Sequence, residues 1–132
     1  MEIRRVSDEG YESFLREKEY AVILFDATGD VGPGLLIRPR FERAARAFAD
    51  RVNFGEVDCD EQSRVVTSIP VLNVPTVAYY KGGRLIAALV SAVQDVNART
   101  GAMLDGKRIG RGDGWSADEE GKALFPGHYQ KP

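Results

Sequence analysis

The run YAVILF, Tyr20 to Phe25, restricts the fold more than any other stretch of this chain. It is apolar without polar alternation, and far shorter than the ~20 residues a membrane helix needs. A strand of this kind is stable only when both of its faces are covered, inside a sheet packed between helices. The residues that follow agree with that placement. Gly32-Pro33 turns the chain, and Pro33 suits the first position of a helix, where its missing N–H costs nothing. The spacing predicts a helix from Pro33 to about Asp50, with Leu36, Phe41, Ala44, Ala45 and Phe48 facing inward and Pro39 kinking it.

Around this pair the other elements fall into an alternating order. Ile3 to Val6 reads as a short strand, and Ser7 as the N-cap of a helix from about Asp8 to Glu17, with Asp8 and Glu9 in its first turn. VNFGEVDCD reads as a second buried strand, and EQSRVVTSI as a short helix ending before Pro70. TVAYY, the turn KGG and RLIAALV predict a β-hairpin. Asp95 then caps a last helix from Val96 to about Leu104. The order βαβαβαββα predicts an α/β fold, a mixed central sheet flanked by helices on both faces.

The character changes at Asp105. Residues 105–132 hold six of the fourteen glycines, and their five basic and five acidic residues cancel. Apolar periodicity is too weak there for a core element, so the expectation is one domain over residues 1–104 and an irregular Gly-rich extension over 105–132. Trp115, Leu124, Phe125 and Tyr129 are candidate docking anchors within it. A tail folded back on its own domain and a tail crossing to a second copy, giving a homo-oligomer, both remain open.

Composition removes several classes of function. Eighteen basic and twenty acidic residues give a net charge of −2, without the basic face that nucleic-acid binding needs. MEIRRVSDEG lacks the apolar core of a secretory signal, and no apolar run spans a bilayer, so a cytoplasmic, membrane-free location is expected. One cysteine, Cys59, and one histidine, His128, imply neither an intramolecular disulfide nor a multi-cysteine metal site. No cofactor is implied.

Over residues 1 to about 104 the chain resembles the thioredoxin family. Three landmarks carry the resemblance: F-x-A followed by x-G-P-x and L-L-I-R-P; the spacing from Asp60 to Pro75 in NVPT; and the Y-K-G-G-R hairpin followed by a strand and a capped helix. The resemblance implies a thioredoxin-like fold. It also matches the family's Trp-Cys-Gly-Pro-Cys turn to Asp30, Val31, Gly32, Pro33 and Gly34, with one extra residue among Thr28, Gly29 and Asp30. The attacking thiolate matches Val31 and the resolving thiol Gly34, and neither side chain can do that chemistry. The family's buried acid matches Leu24 and its lysine neighbour Glu56. A dithiol oxidoreductase is therefore not expected, and no catalytic residue is assigned.

What the resemblance leaves is a binding site. In the family, the residue before a cis-proline pairs its backbone with an extended substrate beside the active-site turn. The matching groove positions are Asp30, Val31, Gly32, Pro33, Gly34, Val74, Pro75, Ser91 and Ala92. Main-chain pairing with a peptide needs no sulfur, so the expected function is a non-catalytic module for an unidentified protein or extended peptide, of an assembly or chaperone-like kind. The alternative is a one-cysteine thiol enzyme, a peroxidase or glutathione-dependent transferase using Cys59. Against it, a free cysteine on a middle strand usually behaves as a small inert hydrophobe.

Other motifs have plainer readings. Arg38, Arg40, Arg43, Arg46 and Arg51 are interleaved with Glu42 and Asp50, as on a solvated helix face. GKRIGRGDG lacks the GKS or GKT ending of a phosphate loop and reads as a glycine linker. WSADEE carries a capping-box spacing from Ser116 to Glu119.

Overall fold

The computed structural model describes residues 3–27, 33–69, 73–109, 113–117 and 123–125. The elements run β1 (Ile3–Arg5), α1 (Tyr11–Arg16), β2 (Tyr20–Asp26), α2 (Pro33–Phe48), β3 (Val52–Asp58), α3 (Ser63–Thr67), β4 (Thr76–Lys81), β5 (Arg84–Val90), α4 (Val96–Leu104), β6 (Asp113–Ala117) and β7 (Ala123–Phe125). Up to Leu104 this is the order expected from the sequence. One sheet contains all the strands among the described residues, in the order β1-β3-β2-β4-β5-β6-β7. The β1–β3 and β3–β2 pairs are parallel, and every pair from β2–β4 outward is antiparallel.

β2 is buried along its whole length. Its alternating side chains divide between two cores, as a strand with two covered faces must. Tyr20, Val22 and Leu24 pack with Ile37, Phe41, Ala44 and Ala45 of α2 and Val96 and Met103 of α4. Ala21, Ile23 and Phe25 pack on the other face with Phe14 and Leu15 of α1 and Val65 of α3.

Two local expectations change. In α2, Leu36 is half exposed and Ile37 is fully buried. The inward stripe is therefore Ile37, Phe41, Ala44, Ala45 and Phe48, whose spacings of four, seven, eight and eleven keep one helical face. α1 begins at Tyr11 after a turn rather than at Asp8, and Gly10 holds its N-cap position. Ser7 closes that preceding turn, its hydroxyl accepting from Gly10 N at 3.0 Å. Asp8 does its capping elsewhere: its carboxylate accepts from Val65 N of α3 at 2.8 Å, while its own N–H donates to Gln62 Oε1 at 2.8 Å.

Gly55 of β3 is set by packing. A Cβ there would stand 2.6 Å from Val6 Cγ2 and 2.7 Å from the Phe14 ring, so a missing side chain lets α1 close on the sheet. The β4–β5 hairpin turns through Gly82 and Gly83, at φ 60° and 79°. Two successive positive φ values are those of a type I′ turn, whose twist matches the flanking strands.

The extension is not irregular throughout, which corrects the sequence reading. Asp113 to Ser116 pair antiparallel with Val90 to Ala87 of β5, and β7 returns beside β6, Phe125 opposite Ser116. The segment DGWSA has little strand propensity of its own. Its pairing is available only because β5 would otherwise present an open edge. Trp115 is in register with Ala88. Leu124 lies within β7, whereas Tyr129 and His128 lie outside the described residues.

Candidate functional site

Three chain segments leave the sheet at the same end. Register shows this directly: Phe25 of β2 is opposite Thr76 of β4, and Thr76 is opposite Val90 of β5. Asp26–Ala27, Val74–Pro75 and Ser91–Ala92 therefore emerge side by side. α2 begins at this end with Pro33 and Gly34. Of the nine groove positions expected from the sequence, the register brings Val74, Pro75, Ser91 and Ala92 together at one sheet end, and Pro33 and Gly34 open α2. Asp30, Val31 and Gly32 lie outside the described residues.

The Val74–Pro75 peptide is cis. Val74 is 38% exposed, whereas Pro75 and Thr76 are buried. The Thr76 hydroxyl donates to the Asn73 carbonyl at 2.6 Å and holds the approach to the proline. Four large apolar residues are exposed among the described residues: Leu35, Leu36, Val74 and Val93. Leu35 and Leu36 belong to the first turn of α2, Val74 precedes β4, and Val93 follows Ser91–Ala92. Sequence reasoning missed three of the four. The available signal was that Leu35, Leu36 and Ile37 cannot all face one core from one helix.

The Ser91–Ala92 segment is fixed by a buried glutamine that no sequence pattern marks. Gln94 is 4% exposed. Its Nε2 donates to the Leu89 carbonyl at 2.8 Å and to the Ser91 carbonyl at 3.1 Å. Its Oε1 accepts from the Tyr79 hydroxyl at 3.1 Å and from Arg99 Nη1 at 2.9 Å. One side chain thus ties β4, β5, the groove segment and α4 together. Burial holds the Tyr79 phenol well above its ordinary pKa, so it stays a donor to Gln94.

On the other side of Asp26, toward β3 and β1, lies a polar cleft of about 300 Å³ lined by Arg5, Ser7, Asp26, Arg38, Glu56 and Asp58 among others. Leu24, opposite Glu56 in the sheet, is fully buried. The Arg38 guanidinium meets Glu56 Oε2 at 2.9 Å, and Arg5 Nε lies 3.8 Å from Glu56 Oε1. Where the family has a buried acid beside a lysine, this chain has an apolar side chain beside a glutamate paired with arginines.

Cys59 follows β3, half-buried, its N–H donating to the Asp26 carbonyl at 2.9 Å. Burial, and then the nearby carboxylates of Asp26, Asp58 and Asp60, push its thiol up to about 11. A nucleophilic cysteine needs the reverse surroundings, a helix N-terminus or nearby cations. Among the described residues no group of three or more histidine, cysteine or acidic side chains is arranged to hold a metal ion.

The thioredoxin family model matches residues 2–100. The chain belongs to the thioredoxin family. It is 35% identical over 83 residues to thioredoxin-2 of Saccharomyces cerevisiae, covering 62% of this chain and 78% of that one. It is 28% identical over 100 residues to the thioredoxin of Acidithiobacillus ferridurans, covering 76% of this chain and 91% of that one. It spans about half the length of the chloroplastic thioredoxins of spinach (M-type) and Arabidopsis (M4), at 51% and 48%. The crystal structure of Malassezia sympodialis thioredoxin superposes with a TM-score of 0.67 at 26% identity, covering 78% of this chain and 90% of that one. Oxidized mitochondrial thioredoxin 3 of S. cerevisiae gives 0.65 at 25% identity, over 75% and 92%. This thioredoxin-family chain carries one cysteine, Cys59, so it has no cysteine pair for an internal dithiol–disulfide cycle.

Proposed function

We propose that this thioredoxin-fold chain has no disulfide-exchange activity and binds an extended peptide or protein segment at the end of its sheet, as an assembly or chaperone-like module. The observation that carries the reading is that Val74–Pro75 and Ser91–Ala92 leave the sheet side by side at one end, with Val74 and Val93 exposed. Such a surface offers main-chain groups flanked by apolar side chains, which is what recognition of an extended chain requires. The positions that match the family's two thiols are Val31 and Gly34, which carry no sulfur.

The thiol-enzyme alternative has weaker support. With the thiol raised to about 11, only on the order of one molecule in ten thousand carries a thiolate at pH 7.

Two measurements test the proposal. Insulin reduction by dithiothreitol should proceed at the same rate with and without the protein, and a catalysed rate refutes the inactive reading. Peptides selected from a displayed library against the full chain should shift the amide signals of Val74, Ser91 and Ala92. Val74→Asp, a change at an exposed position, should weaken them at least tenfold. Selected peptides that bind elsewhere, or bind this variant equally, refute the groove.

A further inference from the structure

The outer face of α2 joins an apolar patch to a row of arginines. Ile37, Phe41, Ala44 and Ala45 are buried against the sheet, so helical spacing turns Leu35, Leu36, Pro39, Arg40, Arg43 and Arg46 outward. All six are exposed, Leu35 at 59% and Leu36 at 50%. Pro39 lies four residues after Leu35 and three after Leu36, which makes the three side chains neighbours on the helix surface. Leucines exposed singly are ordinary, but a contiguous apolar patch rimmed by charge marks a contact surface. The arginines continue the same rows. Arg40 is four residues after Leu36, Arg43 four after Pro39, and Arg46 three after Arg43.

These arginines are not consumed by the fold. Arg4, Arg5, Arg16, Arg38 and Arg64 each meet a carboxylate, in a chain with twenty acidic and eighteen basic residues. Among the described residues Arg40, Arg43 and Arg46 meet none. Arg40 Nη1 donates instead to the Leu36 carbonyl at 2.7 Å. Arg46 lies in the last turn, where the helix dipole favours a cation. That does not account for Arg40 and Arg43, which lie near the middle of the helix. Glu42 is the single acid of α2, and it is half-buried. Three like charges within about 9 Å of helix rise repel one another, and an anionic partner relieves that repulsion.

We infer that the outer face of α2 docks an acidic amphipathic helix of a partner protein. Its apolar side chains cover Leu35, Leu36 and Pro39, and its carboxylates meet Arg40, Arg43 and Arg46. Measured from Leu36, the three arginines stand about 6, 10 and 15 Å along the helix axis. A helix laid alongside presents its i, i+4 and i+7 side chains at the same heights. The complement is therefore an apolar residue followed at those spacings by aspartate or glutamate. The planar guanidinium fork suits the two oxygens of a carboxylate. An anionic bilayer fits less well, because a net charge of −2 sets the rest of the protein against it. The surface uses none of the groove positions Val74, Pro75, Ser91 and Ala92, and it stands or falls independently of that site.

The probe is a synthetic peptide of about five helical turns, with leucine and glutamate at i, i+4 and i+7 spacings on one face. Titrated into the 15N-labelled full chain, it should shift the amides of Leu35, Leu36, Arg40, Arg43 and Arg46. Those of Val74, Ser91 and Ala92 should stay fixed. Two control peptides, one with lysine for each glutamate and one with a central proline, should bind about tenfold more weakly or less. Arg40→Glu with Arg43→Glu in the full chain should weaken the acidic peptide about tenfold or more, and salt raised from about 50 to about 500 mM should also weaken it. Leu36→Ser should weaken it at constant salt. All three substitutions change exposed side chains, so thermal midpoints should match the wild type. If the double charge reversal does not fold, Arg43→Gln serves in its place, with a smaller loss in the same direction. An absence of shifts along α2, equal binding of either control peptide, or undiminished binding by the arginine variant overturns the proposal. So does a chain that ignores the acidic peptide but sediments with phosphatidylserine vesicles, which assigns the face to a membrane. A peptide that shifts only Val74, Ser91 and Ala92 also overturns it, and leaves the groove reading in place.

Discussion

Gln94 carries more of the candidate site than its sequence neighbourhood suggests. Replacing it with alanine removes four hydrogen bonds and leaves the buried Tyr79 hydroxyl and the Leu89 carbonyl without that partner. An unsatisfied buried polar group costs about 1–3 kcal/mol. Gln94→Ala should therefore lower the urea midpoint by a corresponding amount and shift the Ser91 and Ala92 amides. A midpoint within error of the wild type would show that the network does not hold the loop. Cys59 gives a pH prediction. Its thiol rises from the ordinary 9.0 to about 11 in the folded chain, so the native state retains a proton that the unfolded chain loses. The stability this contributes is present below about pH 9 and lost between about 9 and 11. Alkylation of native Cys59 by iodoacetamide at pH 8 should run on the order of a hundredfold slower than in urea-unfolded chain, and equal rates would restore the thiol-enzyme reading. At this scale the sequence was only partly legible. Cysteine count and the Val31 and Gly34 positions follow from reading residues in order. The role of Gln94 does not, because glutamine is an ordinary loop residue until Tyr79, Leu89 and Arg99 are brought around it.

At the scale of elements, local pattern decided what it could reach. β2 was readable because an unbroken apolar run needs cover on both faces, and Asp95 because its carboxylate caps α4 through Ala98 N at 2.9 Å. The phase of α2 was not readable to one residue, since Leu36 and Ile37 are equally apolar and only the helix direction separates them. β6 and β7 were misread for a different reason. DGWSA contains aspartate, glycine and serine, all poor in strands, and its order comes from β5, some two dozen residues earlier in the chain. Gly55 offers the sharpest test of packing between elements. Gly55→Ala forces a methyl group against Val6 and Phe14, and overpacking of this kind costs about 1–3 kcal/mol. Thermal unfolding should show the loss, and Val6→Ala in the same chain should recover part of it. An unchanged midpoint would mean that α1 moves away freely.

For the whole molecule, the added strands change what the sheet presents to its surroundings. A chain ending after Ile109 keeps every element of the family match but bares the β5 edge from Ala87 to Val90, otherwise paired with β6. Open edges of this length template association with other strands, so the shortened chain should gain mass with concentration in light scattering, while the full chain stays constant. Equal behaviour would assign β6 and β7 no protective part. In the intact sheet the outermost described strands, β1 and β7, are each three residues long. A strand so short gives an incoming chain only a few main-chain bonds, too few to recruit it into a growing ladder. Among the described strands, neither flank therefore offers an incoming chain a long edge from which a ladder could grow.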